Sequence, residues 1–256
     1  MNYIKTAIRC AQEGGGVALD GFGRAKKIRR KSPNQLATEF DVLAEKKIRE
    51  IIKKEYPEHS VFGEELGKEG RGEYVWLIDP IDGTHNFIHG IPLFATSVAL
   101  AKNRVVLCGA IHAPFSGETF WAGNGKGAWL NGSRIWCSNK DNPDECMLLH
   151  GTNFRLSPKM AKAFPYIAKR FRHVRMLGSA ALYLAYVAAG RADIALDFGI
   201  RPYDIAAGCL IAQEAGCRIT DFRGEEWSYN SSGIICSNKN LYPKMLKIVQ
   251  ESLCRQ

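Results

Sequence analysis

The chain contains 256 residues, of which 46% are hydrophobic and 24% are charged, and its formal net charge is +9. This length is near the upper limit for one hydrophobic core, so one large domain or two fused subdomains would both fit. No apolar run reaches the roughly 20 residues that cross a membrane, and the first residues lack a signal-peptide pattern, so we expect neither a membrane-spanning nor a secreted protein.

Amphipathic helices and short strands alternate in the first half of the chain. Residues 3–22 are predicted to form a helix, with the glycines at 14–16 as its weak point. A second helix is expected over 41–56, where apolar residues recur every three or four positions. Strands follow at 60–65 (SVFGEE) and 74–79 (YVWLID). The turns KN, GNGKG and NG then separate β-rich runs, which indicates an antiparallel meander.

Strands and helices alternate regularly in the second half. Strands are predicted at MLLHG, VRML, ADIALDF, CRITDF and GIICS, and helices near 158–172, at SAALYLAYVAAG, at DIAAGCLIAQEAG and from about 240. This alternation predicts a mixed, layered architecture. The polar stretch SNKDNPDE suggests a boundary near 140–146, which would separate an N-terminal α+β subdomain (1–143) from a C-terminal α/β subdomain (144–256).

Two acids stand three residues apart at the end of a strongly apolar strand. They are Asp79 and Asp82 in WLIDPIDGT, where Pro80 favours a turn and Gly83 lets the backbone approach a ligand closely. A helix starting near Thr84 would direct backbone N–H groups to the same place, where phosphate could bind. A divalent cation would relieve the repulsion of the carboxylates, and oxygen ligands favour Mg²⁺ before Mn²⁺. An ordinary Asp-Gly turn without a ligand is the alternative.

Two further acidic positions strengthen the metal interpretation. FGEE places Glu64 at the end of another apolar strand, although it could simply be surface charge at a loop. PYDIAAG places Asp204 just before a helix of small residues, where an N-cap role worth about 1 kcal/mol would explain it equally well. The order and spacing of the three acidic segments together are more specific than any one of them.

These segments resemble the two signatures of the inositol monophosphatase family, a group of metal-dependent, lithium-sensitive sugar-phosphate phosphatases. WLIDPIDGTHNF matches the first signature almost throughout, and YDIAAG matches the second with tyrosine in place of the usual tryptophan. The likeness extends over nearly the whole chain, through LATEFD, GKGAWLNG, GSAAL and EAGCRITDF. It implies an α+β fold, a layered αβαβα sandwich like that of fructose-1,6-bisphosphatase, with a metal site between the two subdomains. It also implies a homodimer.

The resemblance also assigns metal ligands. It implies that Glu64, Asp79 and the backbone carbonyl of Ile81 hold one Mg²⁺, and that Asp79, Asp82 and Asp204 hold a second. A third, looser ion would be held by Glu64 and water, so two to three Mg²⁺ ions are expected per site, with Mn²⁺ as a substitute. Two neighbouring cations can stabilise both the attacking and the leaving oxygen of an in-line displacement.

Catalytic roles follow from the same resemblance. Glu64 and Thr84 would orient or deprotonate the attacking water, and Asp41 in TEFD would hydrogen-bond Thr84. The N–H groups of Gly83 and Thr84 would hold the phosphate. Asp41 could alternatively be the N-cap of the helix over 41–56, and Thr84 the cap of the following helix.

The substrate side of the site is less specific. The resemblance places Gly178, Ser179, Ala180 and Asp197 near the substrate. Arg201 stands beside the pocket, where it could grip a second phosphate or be an ordinary surface arginine. Substrate contacts are also expected from the following residues: Asp82, Gly83, Thr84 and Asp204. The expected substrate is a small phosphate monoester, with inositol 1-phosphate first and fructose 1,6-bisphosphate or histidinol phosphate as alternatives. His85 stands where the family has a small hydroxyl residue, and its effect is open.

The basic excess allows a different class of function. Basic clusters occur at 26–31 (KKIRRK) and 169–175 (KRFRHVR), which could indicate a nucleic-acid-associated regulatory protein that keeps the fold. Solvated helix faces are the preferred interpretation, because no aromatic-basic module accompanies the charge. A nucleic-acid partner is therefore not expected. Eight cysteines without a CxxC pair or an export signal predict reduced thiols and a cytoplasmic location.

Overall fold

The computed structural model describes residues 3–32, 35–151, 154, 157–229, 231 and 233–254. The chain begins with helix α1 (Tyr3–Gly21), the antiparallel hairpin β1 (Ile28–Ser32) and β2 (Gln35–Thr38), and helix α2 (Glu39–Glu55). Both predicted helices are confirmed, while the hairpin was not predicted. Helix α1 continues through its glycines because they allow close packing: a Cβ on Gly14 or Gly15 would lie 2.6 Å from Ile48 or His112, respectively.

Helix α2 starts earlier than its apolar pattern indicates. Its N-cap is Thr38, whose hydroxyl accepts a hydrogen bond from Phe40 N at 3.1 Å. Asp41 is the third residue of the helix, and its carboxylate accepts from the backbone N–H of Thr38 at 2.7 Å. The prediction of Asp41 as the N-cap was therefore wrong. Asp41 completes a capping box around Thr38, which satisfies the free N–H groups of the first turn.

The larger sheet holds the first half of the chain. Its strands are β3 (Ser60–Gly63), β4 (Gly67–Glu69), β5 (Tyr74–Asp82), β6 (Ala95–Lys102), β7 (Val105–Ala113), β8 (Glu118–Gly123), β9 (Gly127–Leu130) and β10 (Ser133–Ile135), in the order β10–β9–β8–β7–β6–β5–β3–β4. The pairings from β5 to β10 are antiparallel, which confirms the meander, and β3 pairs with β5 in parallel. A turn was expected directly after Asp79, but β5 continues to Asp82, with a register shift between the two acids. Helix α3 (Thr84–Ile88) follows at once.

The smaller sheet holds the second half. Its strands are β11 (Met147–His150), β12 (His173–Arg175), β13 (Ile194–Phe198), β14 (Cys217–Thr220) and β15 (Gly233–Asn238), in the order β12–β11–β13–β15–β14. The helices are α4 (Pro158–Ala168), α5 (Ala180–Ala188), α6 (Pro202–Glu214) and α7 (Tyr242–Cys254). All predicted elements of this half are present, although α4 ends at Ala168 rather than near 172.

The elements stack in five layers, which confirms the αβαβα sandwich. Helices α1 and α2 pack on one face of the larger sheet, α5 and α6 lie between the two sheets, and α4 and α7 cover the outer face of the smaller sheet. The central core joins residues of both halves, for example Leu77 and Ile111 with Leu184 and Ile211. The subdomain boundary near 140–146 stays a prediction. Within the described residues, no helix is long and apolar enough to cross a bilayer.

The packing of α6 on the larger sheet requires a glycine in β7. A Cβ on Gly109 would lie 2.7 Å from the backbone Cα of Ala207, and backbone cannot rotate away. We expect Gly109→Ala to lower the free energy of unfolding by about 1–3 kcal/mol through overpacking. Gly16→Ala is the control, because a Cβ on Gly16 meets nothing within 4 Å and replaces helical glycine by a better helix former. Chemical denaturation of both variants measures the difference, and equal stability of both would contradict the close packing.

Candidate active site

One cavity of about 330 Å³ opens where β3 and β5 end and where α3, α5 and α6 begin. It collects most of the residues that the sequence singled out. They are Glu64, Asp79, Ile81, Asp82, Gly83, Thr84, Gly178, Ser179, Ala180, Asp197 and Asp204. Asp41 lies behind this lining and reaches it through Thr84. The side chain of Arg201 is exposed and does not line the cavity.

The end of β5 is shaped so that both of its acids face the cavity. The side chain of Asp79 accepts a hydrogen bond from Ile81 N at 3.1 Å, within the segment where the register shifts. The hydroxyl of Thr96 donates to Pro80 O at 2.7 Å and holds the proline in place from the neighbouring strand. Gly83 has φ 99°, and a Cβ there would lie 2.9 Å from a backbone oxygen, so another residue would strain this corner.

Asp82 joins the two halves of the molecule. Its Oδ2 accepts hydrogen bonds from the Ser179 hydroxyl at 2.5 Å and from Ala181 N at 2.6 Å. The Ser179 hydroxyl also accepts from Leu182 N and caps helix α5. The start of α5 is thereby tied to the acidic end of β5. Asn86 adds a second tie, since its amide donates to Leu177 O at 2.6 Å.

Asp204 reaches the cavity from the first turn of α6. Its Oδ2 accepts a hydrogen bond from Arg201 N at 2.7 Å. The N-cap of α6 is Arg201, so the alternative interpretation of Asp204 as that N-cap was wrong. One oxygen of Asp204 supports the helix start, while the residue still lines the cavity.

Thr84 and Asp41 form a contact behind the acids. The Thr84 hydroxyl lies 3.2 Å from Asp41 Oδ1 and 3.0 Å from Ile81 O, so its single hydrogen serves one of these acceptors at a time. Asp41 is fully buried, and this burial raises the pKa of its carboxyl to about 6. Asp41 thus contacts Thr84, as the family resemblance implies, and also supports the start of α2 through the capping box.

The electrostatics of the cavity are dominated by burial of acids close to one another. Asp79 and Asp82 are 2% and 8% exposed, while Glu64 and Asp204 keep some exposure to the cavity. Burial raises the pKa of Glu64, Asp79 and Asp204. Neighbouring carboxylates raise the pKa of Asp79 and Asp204 further, whereas Lys31 partly opposes the rise at Glu64. Burial also raises the pKa of Asp82 to about 6. A positive charge close to these carboxyls would lower their pKa values.

Lys31 supplies one positive charge, which the sequence did not indicate. Its Nζ lies 2.6 Å from Glu64 Oε1 and 2.5 Å from Glu65 Oε1. The ammonium comes from the hairpin β1–β2, whose Leu36 also lines the cavity. Nothing in the basic run at 26–31 distinguishes this lysine from its neighbours.

The cavity has further lining residues that the sequence did not single out. They are Leu36, Gly151, Met176, Tyr183 and Ile200.

The chemistry of these side chains fits a hard divalent cation. The donors are carboxylate oxygens and, at Ile81, a backbone carbonyl, which are the ligands that Mg²⁺ and Mn²⁺ prefer. In the part of the chain that the structure describes, no three acidic, His or Cys side chains are already arranged around one ion position. Glu64 is paired with Lys31, Asp82 with Ser179 and Asp204 with Arg201 N. A cation at Glu64 would therefore compete with the ammonium of Lys31.

The residues expected on the substrate side also line the cavity, next to Asp82. Gly178, Ser179 and Ala180 form the start of α5, and His85 extends over the cavity from α3. Asp197, at 2% exposure, accepts a hydrogen bond from Phe198 N at 2.7 Å, and burial raises the pKa of its carboxyl to about 8. A Cβ on Gly151 would collide with this carboxylate, so a glycine is needed there.

Comparison with known proteins gives a consistent result. A sequence model described as the inositol monophosphatase family matches residues 1–253. The chain is 38% identical over 252 residues to a Thermotoga maritima protein named fructose-1,6-bisphosphatase/inositol-1-monophosphatase, covering 98% of this chain and 97% of that protein. It is 37% identical over 256 residues to a putative Nus factor SuhB of Neisseria meningitidis, covering 96% and 97%. Among solved structures, an IMPase of Thermotoga maritima aligns with a TM-score of 0.92 at 37% identity, covering 99% of this chain and 98% of that chain.

The buried acids predict a pH-dependent stability in the absence of metal. The pKa of Asp82 is raised from 3.8 to about 6, so its stabilising contribution is complete below pH 3.8 and is lost as pH rises through 6. In EDTA, we expect the free energy of unfolding of the wild type to fall between pH 4 and pH 7. Relative to Asp82→Asn, this fall should be on the order of 3 kcal/mol. Urea denaturation at both pH values measures this fall.

Asp20→Asn is the control for this experiment, because Asp20 is an exposed acid of α1. It should keep the wild-type difference in unfolding free energy between the two pH values. If Asp82→Asn keeps that difference too, ionisation of the buried Asp82 carboxyl does not destabilise the folded protein.

Proposed function

Because the chain belongs to the inositol monophosphatase family, we propose that its cavity hydrolyses inositol 1-phosphate with the help of bound Mg²⁺. The observation that carries this proposal is the convergence of carboxylates from β3, β5 and α6 on one cavity, beside the start of α3. Hydrolysis of a phosphate monoester is common to the family, whereas the substrate differs among its members. The name of the Thermotoga maritima relative, which includes inositol-1-monophosphatase, supports the finer assignment.

Five residues would hold the cations. They are Glu64, Asp79, Ile81 through its carbonyl, Asp82 and Asp204, which together would bind two to three Mg²⁺ or Mn²⁺ ions. When bound, such ions neutralise the phosphate, lower the pKa of water and stabilise the leaving oxygen. Positioning and charge neutralisation then suffice for phosphoryl transfer, without a covalent intermediate.

The protein's own groups hold and orient the reactants. Thr84, with Asp41 as the acceptor at 3.2 Å, would position the attacking water, and Glu64 would take up its proton. Glu64 can serve as that acceptor once its bond to Lys31 opens. The N–H groups of Gly83 and Thr84 would donate to a phosphate oxygen. Together these groups restrict the attack to one direction, which is the main protein contribution to such a reaction.

The alcohol part of the substrate would lie against the start of α5 and the end of β13. Gly178, Ser179 and Ala180 leave space for a ring, and Asp197 would hydrogen-bond its hydroxyls. Selectivity between substrates would depend on how these hydroxyls satisfy the buried Asp197 carboxyl, because an unpaired buried polar group lowers affinity.

Fructose 1,6-bisphosphate is the second candidate substrate, and the double name of the Thermotoga maritima relative favours it. Its second phosphate would need a cation near the cavity. Arg201 stands at the start of α6 next to Asp204, although its exposed side chain does not line the cavity. Histidinol phosphate is a weaker alternative. We further expect a cytoplasmic homodimer.

Phosphate release tests the proposed function. With inositol 1-phosphate, we expect Mg²⁺-dependent turnover, and Asp204→Asn should lower kcat/KM by more than about a hundredfold, since even outer-shell partners of metals matter ten- to a hundredfold. Asp193→Asn is the control, because Asp193 is another poorly exposed acid, at 2% exposure, whose carboxylate accepts from Met147 N and pairs with Lys140 outside the cavity. Parallel assays with fructose 1,6-bisphosphate and histidinol phosphate rank the substrates. Turnover without Mg²⁺, or unchanged turnover in Asp204→Asn, would contradict the assignment.

A further inference from the structure

A basic surface lies on α4 and the segment that follows it, on the outer layer of the molecule. It consists of Lys159, Lys162, Lys169, Arg170 and Arg172, all exposed, and we call it the α4 basic surface. Between residues 158 and 175 the chain contains no Asp or Glu. The smaller sheet ends here as well, since β12 is its edge strand.

Helical spacing arranges part of this surface in a line. Lys159, Lys162, Tyr166 and Lys169 are three, four and three residues apart, which places them along one face of a helix. The opposite face, with Met160 and Ile167, is buried against the smaller sheet and α7. The line from Lys159 to Lys169 extends over about 15 Å, enough to face several successive phosphates of an extended strand.

Ion pairing distinguishes this surface from the other basic run. Among the described residues, none of its five members forms an ion pair. Glu251 of α7 borders the depression next to Lys169 and Arg170, but pairs with Lys247 at 3.9 Å. The other basic run differs. In the run at 26–31, Arg29 pairs with Glu65. Lys31 pairs with both Glu64 and Glu65.

An aromatic ring belongs to the same line. Tyr166 is 39% exposed, and the ammonium of Lys169 lies 4.9 Å from the centre of its ring. The sequence had argued against nucleic acid because no aromatic-basic module was recognisable. The helical repeat of α4 brings an aromatic ring and basic residues together, since Tyr166 comes between Lys162 and Lys169 on the exposed face. Rings flanked by cations are how proteins hold single strands, by stacking on bases and neutralising phosphates.

We propose that the α4 basic surface binds a single-stranded polynucleotide. This function is separate from phosphate ester hydrolysis and uses none of the residues assigned to the cavity. Binding would be tolerant of sequence, because it depends on the phosphate backbone and on one stacking ring.

Fluorescence anisotropy with a labelled 20-nucleotide single-stranded RNA tests the proposal. For Lys162→Ala/Lys169→Ala/Arg172→Ala we expect affinity at 100 mM salt to fall at least tenfold. The slope of log K against log salt should become shallower by about 2, that is about 0.7 for each lost phosphate contact. Tyr166→Ala should weaken binding and leave that slope unchanged, because stacking releases no counterions. Phosphate release by both variants should equal that of the wild type.

The matched control is Lys54→Ala/Lys68→Ala/Arg71→Ala, which removes the same charge from exposed positions of the other half. It should bind RNA like the wild type. Equal loss in the control, or full binding by the α4 triple variant, would overturn the proposal. So would a preference for duplex DNA or anionic vesicles over the single strand. A DNA strand of the same sequence shows whether the ribose contributes, and binding of both strands by the α4 basic surface supports the proposal.

Discussion

The repulsion among carboxylates that share one cavity is the constraint that the rest of the site has to satisfy. Glu64, Asp79, Asp82 and Asp204 line the same space, and two of them are almost fully buried. Like charges 4 Å apart repel by about 4 kcal/mol at an effective dielectric constant of 20, which exceeds the roughly 1 kcal/mol of a helix cap. Local capping therefore cannot explain why four acids meet here. The proposed cations would explain it, because Lys31 provides a single positive charge, which pairs with Glu64 and with the neighbouring Glu65.

The fold holds these acids from elements far apart in the sequence. The register shift in β5 turns Asp79 and Asp82 toward one space, and Gly83 permits the sharp entry into α3. The bond from Ser179 to Asp82 fixes the start of α5, which belongs to the layer between the two sheets. The site thus forms where the larger sheet meets the helices of the middle layer, and movement of α6 relative to that sheet would separate Asp204 from the other acids.

Much of this arrangement could be predicted from the sequence, because it depends on local patterns. The apolar strands, the meander and the small-residue helices follow from periodicity, and the acids of WLIDPIDGT and YDIAAG belong to specific signatures. The rest depends on contacts between distant segments. Thr38 rather than Asp41 caps α2, and Lys31 reaches Glu64 from a hairpin with no distinctive pattern. The line through Tyr166 becomes visible once α4 shows which of its faces is buried.

Crystals grown with Mn²⁺ and measured at its absorption edge test the central claim most directly. We expect anomalous density between Glu64, Asp79, Asp82 and Asp204, with the ammonium of Lys31 moved away from Glu64. Absence of density in this cavity at saturating Mn²⁺, with Lys31 still bound to Glu64, would contradict it.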